Sequence, residues 1–146
     1  MTDLKIRKLP WAFDETTPFQ WNPANPAFGL GMNTLTFIAP PFERYIVLTT
    51  REALREIADP AVKAEAKAFI QQEGLHAVAH RRHVNALIAQ HPGLAEVIPE
   101  LDRSYDELLR TQPLKYHLAY IADIEATFTP LFSTSARRSS IGPPPR

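Results

Sequence analysis

Apolar residues recur every three to four positions over four stretches of this chain, a spacing typical of amphipathic helices. The predicted helices span residues 41–58, 60–91, 100–112 and 114–132. Asp59 is suited to the N-cap of the second helix, with Pro60 at its first position. Pro113 either separates the last two helices or kinks a continuous one. The pattern predicts an all-α fold, an antiparallel helix bundle.

The two ends of the chain lack this periodicity. Residues 1–40 combine many prolines with widely spaced aromatic residues, among them Trp11, Phe13, Phe19, Trp21 and Phe28. Proline disfavours helix interiors and aromatic rings require burial, so we predict an irregular N-terminal arm packed on the body. Residues 33–38 are expected to be extended coil. Residues 41–132 form the predicted helical bundle, and the polar residues 133–146 form a predicted disordered tail.

The second helix places charged side chains on its apolar face. At about 100° per residue, Glu73, His76 and His80 lie within one stripe with the apolar residues Val62 and Leu87. A carboxylate in the centre of a buried stripe costs several kcal/mol, roughly, unless another group pairs with it. The stripe therefore predicts a buried polar site on this helix.

Two other helices repeat the feature, since Glu43 and Glu125 each lie at the centre of an apolar stripe. Three carboxylates in one core repel each other unless protons or a cation intervene, and a metal ion is the economical solution. Helix bundles that hold two metal ions use one Glu from each of two helices and Glu-x-x-His from two others. Glu43, Glu73-x-x-His76 and Glu125 match the first three contributions. A second Glu-x-x-His is absent.

Three segments of the chain resemble a known family. They are "PPFERYIVLTTRE", "DPAVKAEAKAFIQQEGLHAVAH" and "YIADIEATFT", and the element Gln72-Glu73-x-x-His76-x-x-x-His80 is the most specific part. They resemble the predicted metal-dependent hydrolase family over roughly residues 20–132. The resemblance implies a ferritin-like fold with a di-iron carboxylate type of site. It implies Glu43, Glu73, His76 and Glu125 as metal ligands, with His80 as a further ligand or a residue that orients one.

The chain departs from that family at its C-terminal end. Family members continue into a further helix with Trp-His and Glu-Glu-x-Glu-His elements, where this chain has "TPLFSTSARRSSIGPPPR". We therefore expect a truncated form whose last helix is missing. The apolar faces left open would need cover, which predicts a homodimer.

Each candidate metal ligand could instead have a purely structural role. Glu73, His76 and His80 could form a buried hydrogen-bond network without metal. Glu43 could interact favourably with the N-terminal helix dipole, and Glu125 could pair with His117 or an arginine. In that case the chain is a catalytically inactive scaffold or a binding module.

The chemistry of the candidate metal ligands and the composition of the chain limit the classes of function that the sequence supports. Carboxylate and imidazole ligands suit iron or manganese, in a site that is mononuclear or dinuclear. Such a site could support hydrolysis, or dioxygen-dependent oxidation, of a small and lipophilic substrate. Sixteen basic residues balance sixteen acidic ones, so charge gives no reason to expect a nucleic-acid partner. Cysteine is absent and no apolar run reaches about 20 residues, so we expect a cytoplasmic protein without a membrane span.

Overall fold

The computed structural model describes residues 6–7 and 11–139, with side chains described as far as Pro130. Within these residues there are four α-helices, one short 3₁₀ helix (Pro92–Glu96) and no strand. The α-helices are α1 (Pro26–Ala53), α2 (Pro60–Gln90), α3 (Val97–Thr111) and α4 (Leu114–Ser139). The all-α prediction is confirmed. No helix in the described ranges combines the length and the apolar character that a membrane crossing requires.

Helix α1 begins much earlier than the sequence predicts. The side chain of Asn25 accepts a hydrogen bond from the backbone N–H of Phe28 at 3.1 Å, and Pro26 occupies the first helical position. Both residues are typical of a helix start. The prediction of an irregular arm is therefore wrong from Pro26 onward, and residues 33–38 are helical rather than extended. The first helix also ends at Ala53, not at 58.

The misprediction comes from Pro40 and Pro41, which lie inside α1 instead of at its start. Each removes a backbone N–H that would bond four residues back, which normally interrupts a helix. Here both prolines are buried, as are Thr36 and Phe37 one turn earlier. Tertiary packing of this face keeps the chain helical through a turn whose local propensity is poor.

Helix α2 agrees with the sequence prediction at both ends. The side chain of Asp59 accepts from the backbone N–H groups of Ala61 at 2.7 Å and Val62 at 3.3 Å, with Pro60 at the first position. The helix ends at Gln90, before Pro92.

The direction of α2 relative to α1 follows from the residues that face each other. Thr36 contacts His83, and Glu43 lies close to Glu73, so the residue number falls on α2 as it rises on α1. The two helices are therefore antiparallel.

The hydrophobic core lies where the first half of α1 meets the second half of α2. Phe37, Val84 and Leu87 are buried there, and five partly buried side chains pack against them: Phe19, Ile88, Leu94, Ile98 and Leu101. Burial of one such side chain contributes about 1.5–3 kcal/mol. The core fixes the register in which the next turns of α1 and α2 face each other.

Helix α3 packs on α1 through a group of rings and through Arg44, which forms ion pairs with Asp102 and Asp106. The guanidinium of Arg44 donates to the carboxylate of Asp106. Tyr105 lies 5.7 Å from Phe42 and 5.3 Å from Tyr45, measured between ring centroids. These contacts hold the half of α1 that carries Glu43.

Residues 11–25 contain no helix and follow α2 in the same direction. Trp11 lies beside His80, Phe13 stacks on His83, and the carbonyl of Thr17 accepts from Gln90. The segment is held to the helix by rings that contact imidazoles and by side-chain amides that bond its backbone. We call residues 6–7 and 11–25 the N-terminal segment. The remainder of the predicted arm, residues 1–5 and 8–10, lies outside the described residues.

The chain divides into two compact units, Met1–Gln112 and Pro113–Arg146. Gln112 has extended backbone angles (φ −108°, ψ 152°), so α3 and α4 are separate helices rather than one kinked helix. Helix α4 continues through Pro130 to Ser139. The prediction that the helix ends at 132 is therefore wrong, because Ala and Arg in this stretch favour helix and no proline or glycine follows before 142. Residues 140–146 of the predicted tail lie outside the described residues.

Candidate metal centre

Two antiparallel helices bring two carboxylates and one imidazole together. Glu43 comes from α1, and Glu73 and His76 come from successive turns of one face of α2. One potential ligand atom from each residue lies within 4.8 Å of the others. Glu43 is 5% exposed and Glu73 is 6% exposed. We call these three residues the acidic cluster.

The electrostatics of the acidic cluster favour a bound cation. Two carboxylates taken out of water repel each other and lose hydration, which costs several kcal/mol, roughly, if nothing compensates. Nearby imidazoles supply part of the compensation. His76 Nδ1 lies 3.5 Å from Glu73 Oε1, and His80 Nε2 lies 3.6 Å from Glu43 Oε1. Both distances exceed those of good hydrogen bonds.

His80 is held in its neutral form. Its burial, together with the neighbouring imidazoles of His76 and His83, lowers the pKa of His80 from 6.5 to about 4, although Glu73 acts in the opposite direction. Burial also lowers the pKa of His83. Neither ring therefore neutralises the two carboxylates at neutral pH.

Thr36 joins these two neutral rings from α1. Its Oγ1 lies 3.0 Å from Nδ1 of His80 and 3.0 Å from Nδ1 of His83. A hydroxyl group has one proton, so it donates to one ring and accepts from the other. The carboxylate of Glu43 favours a proton on Nε2 of His80, which leaves Nδ1 of that ring as the acceptor. Thr36 therefore donates to His80 and accepts from His83.

Gln72 connects the cluster to the N-terminal segment. Its Oε1 accepts from the backbone N–H of Arg7 at 2.7 Å, and its Nε2 lies 2.7 Å from Nε2 of His76. An amide nitrogen can only donate, so His76 Nε2 accepts. Nδ1 of the same ring faces Glu73, 3.5 Å from its Oε1. Phe13 covers the neighbouring ring of His83, with centroids 4.3 Å apart and 18° between the planes.

A pocket of about 280 Å³ borders the acidic cluster at His76. Its other walls are Arg7, Trp11, Leu75, Val78, Ala79 and Arg82. A site lined by apolar side chains with a few convergent polar groups is the usual form of a small-molecule site. The apolar part of this lining includes Trp11, Leu75 and Val78.

The predicted site residues fall into three groups. Glu43, Glu73 and His76 are brought together in the acidic cluster. His80 lies beside them, in contact with Glu43. Glu125 is half-buried on α4 in the second unit, and its role as a ligand remains a prediction.

The apolar stripe predicted for α2 is only partly buried. Val84 and Leu87 are buried as expected, but Val62 is 48% exposed. The reason is that the acidic cluster and the core occupy α2 from Glu73 onward, so the first turns of the helix are less covered.

Sequence reasoning did not identify Thr36, the hydrogen bonds of Gln72 or the pocket. Thr36 was missed because its segment was predicted to be extended. Once the helix is continued to Pro26, Thr36 and Glu43 are seven residues apart on one face, which is the signal that would have found it. His83 is half-buried between Thr36 and Phe13.

The chemistry of the acidic cluster fits a divalent cation. Two buried carboxylates and an imidazole offer hard oxygen donors and one nitrogen donor, a set that suits manganese, iron or zinc better than copper(I) or a soft metal. Hydrogen bonds from Gln72 and Thr36 to the surrounding imidazoles resemble the outer contacts that orient metal ligands in proteins.

Comparison with known proteins agrees with this chemistry. No curated protein and no solved structure gives a significant match. The family described as "predicted metal-dependent hydrolase" matches residues 5–139, nearly the whole chain, including all three residues of the acidic cluster. This chain therefore belongs to the predicted metal-dependent hydrolase family.

Proposed function

We propose that this protein is a metal-dependent hydrolase in which Glu43, Glu73 and His76 hold a divalent metal ion. The observation that carries the proposal is the acidic cluster itself: two carboxylates about 5% exposed and one imidazole, with ligand atoms within 4.8 Å. Such a group is costly to bury without a cation, and family membership supplies the class of reaction.

The bound ion would act as a Lewis acid toward water and the group to be hydrolysed. The protein side chains have separate tasks. Glu43 and Glu73 provide negative charge for the cation, and His76 connects the cluster to the pocket that it lines. The rings of Trp11 and Phe13 limit access of bulk water to the neighbouring imidazoles.

His80 is assigned an orienting role rather than a ligand role. Thr36 donates to Nδ1 of His80, so Nε2 carries the proton and faces Glu43 Oε1 at 3.6 Å. His80 is also not among the described residues whose ligand atoms all lie within 4.8 Å of one another. His80 would therefore orient the carboxylate of Glu43, as outer histidines and carboxylates do in other metal sites.

The finer features of the site are also proposals. A ferritin-like dinuclear centre of iron or manganese would require further ligands, and Glu125 is the candidate from α4. A homodimer could provide the remaining ligands and cover apolar side chains such as Val62 and Leu118, which are 48% and 40% exposed. Sedimentation equilibrium with and without Mn²⁺ tests the dimer, and a monomer under both conditions contradicts it.

The deciding experiment measures metal in protein purified without chelators. We expect about one or two Mn, Fe or Zn ions per chain by elemental analysis, and hydrolysis of small ester or amide substrates that EDTA abolishes and added metal restores. Glu73→Gln removes one charge with little change of shape, so it should lose both metal and activity. Glu65→Gln is the matched control, because Glu65 is an exposed glutamate on the same helix.

Two results would overturn the proposal. Metal-free, folded wild-type protein that does not take up added ions would identify an inactive scaffold. Metal-loaded protein that consumes dioxygen with an organic substrate, and hydrolyses none of the test compounds, would identify an oxidase instead.

A further inference from the structure

The pocket beside His76 carries positive charge at its rim. Arg7 from the N-terminal segment and Arg82 from α2 both line it, and both are exposed. Neither guanidinium forms an ion pair with a carboxylate in the part of the chain that the structure describes. Arg44, Arg103 and Arg110, in contrast, each pair with an Asp or Glu. Two unneutralised guanidinium groups on one small pocket favour a ligand with negative charge.

The remaining walls of the pocket are apolar. Trp11 is 42% exposed and Val78 is 52% exposed, while Leu75 and Ala79 are half-buried. These side chains lie together on one rim instead of being scattered over the surface. A ligand with an apolar portion would remove them from water, which is favourable by about 25 cal/mol per Å². The pocket thus combines two arginines with an apolar wall.

The size and surroundings of the pocket limit the ligand further. A volume of about 280 Å³ lies near the lower end of small-molecule sites, which span about 300–1,000 Å³. The carboxylates of Glu43 and Glu73 lie behind His76 and would repel a doubly charged group more than a singly charged one. A carboxylate head with a short apolar chain satisfies these conditions.

We propose that this pocket binds a small amphipathic carboxylate, with its head on Arg7 and Arg82 and its apolar chain against Trp11 and Val78. The inference deepens the proposed hydrolase function, because His76 belongs both to the pocket and to the acidic cluster. The substrate class would then be small carboxylate-bearing compounds whose reacting group lies beyond the arginines, toward His76.

Isothermal titration calorimetry of the metal-free protein with sodium octanoate tests the proposal. We expect octanoate to bind, 1-octanol to bind at least tenfold more weakly, and octylamine not to bind. Arg82→Gln and Arg7→Gln should each weaken octanoate binding by about tenfold or more, since a hydrogen bond to a charged group is lost. Arg81→Gln is the matched control, because Arg81 is an exposed neighbour that lines a different pocket.

Equal binding of octanol and octanoate, or octanoate binding that is unchanged in Arg82→Gln and Arg7→Gln, would overturn the proposal. No heat and no spectral shift of the tryptophans with octanoate would do the same. Circular dichroism melting of each variant separates loss of binding from loss of fold. The titration uses metal-free protein, so an absence of octanoate binding would not contradict metal binding at the acidic cluster. An absence of metal uptake would likewise not contradict octanoate binding in the pocket.

Discussion

Thr36 Oγ1 on α1 lies 3.0 Å from Nδ1 of His80 on α2, and this contact fixes which nitrogen of the imidazole faces Glu43. The threonine is 4% exposed, so water has little access to replace the bond. Its position one turn before Pro40 places it in the part of α1 that the core holds in register with α2. The orientation of a residue beside the acidic cluster therefore depends on a hydroxyl group two turns away from Glu43.

Thr36→Val should destabilise the protein by about 1–3 kcal/mol, because Nδ1 of His80 and of His83 each lose a partner in a buried setting. Thr36→Ser keeps the hydroxyl and should recover most of this loss. Urea unfolding measures the free energies. ¹⁵N shifts of His80 should report a mixture of tautomers in the valine variant and one tautomer in the wild type. Equal stability of the valine and serine variants would refute the assignment.

Metal-free protein should lose stability as pH falls from about 6.5 toward 4. The folded state holds the pKa of His80 near 4, below 6.5, so in this window the unfolded chain binds a proton that the folded chain does not. Stability from this group is complete above pH 6.5 and decreases as pH falls. The loss is about 2–3 kcal/mol by pH 4, and the lowered pKa of His83 acts with the same sign.

Urea unfolding of EDTA-treated protein at several pH values between 7 and 4 measures this dependence. His80→Gln cannot titrate, so the slope over this window should be smaller than in the wild type. The interpretation fails if the variant and the wild type lose the same free energy.

Glu73→Gln should change thermal stability in opposite directions with and without metal. In EDTA the melting temperature should rise by a few degrees, roughly, because one of two neighbouring buried charges is removed. With Mn²⁺ at 100 times its dissociation constant, wild-type protein gains about 2.7 kcal/mol, and the variant should gain almost nothing. Differential scanning calorimetry of both forms measures the two effects. Glu65→Gln should behave as wild type in both, and a variant that keeps the full metal-induced rise would argue against Glu73 as a ligand.

Leu87→Ala should destabilise the protein by about 2–5 kcal/mol, since Leu87 is fully buried between α1 and α2 and its loss leaves a cavity. Leu30→Ala makes the same chemical change at a position of α1 that is 44% exposed, and should cost less than about 0.5 kcal/mol. Chemical denaturation compares the two. Similar losses in both variants would show that the core is not where the structure places it.

Helix α2 could be predicted from local signals alone. Asp59 and Pro60 start it, the break at Pro92 follows it, and the apolar residues between them keep one period over many turns. The burial of Glu43 and Glu73 could also be predicted, because each lies in an apolar stripe. These features depend on residues within a few turns of each other.

The early start of α1 could not be predicted in the same way. Pro40 and Pro41 are strong local signals against a helix interior, and they are outweighed by packing against the second half of α2, a distant part of the sequence. Thr36 could not be identified as a residue near the site, because it lies in the part of α1 that was predicted to be extended. The pocket could not be predicted from the sequence either, because Arg7 and Arg82 line the same pocket only after the N-terminal segment has folded along α2.

Gln72 has a consequence for how the protein responds to ligands. A single side-chain amide bonds the main chain of Arg7 on one side and the ring of His76 on the other. Any event that rotates this ring must therefore change the affinity of the amide for the Arg7 backbone, and thermodynamic linkage makes the effect mutual. The position of the Arg7 backbone and the orientation of the His76 ring are then two readings of one coupled equilibrium, transmitted through one carboxamide.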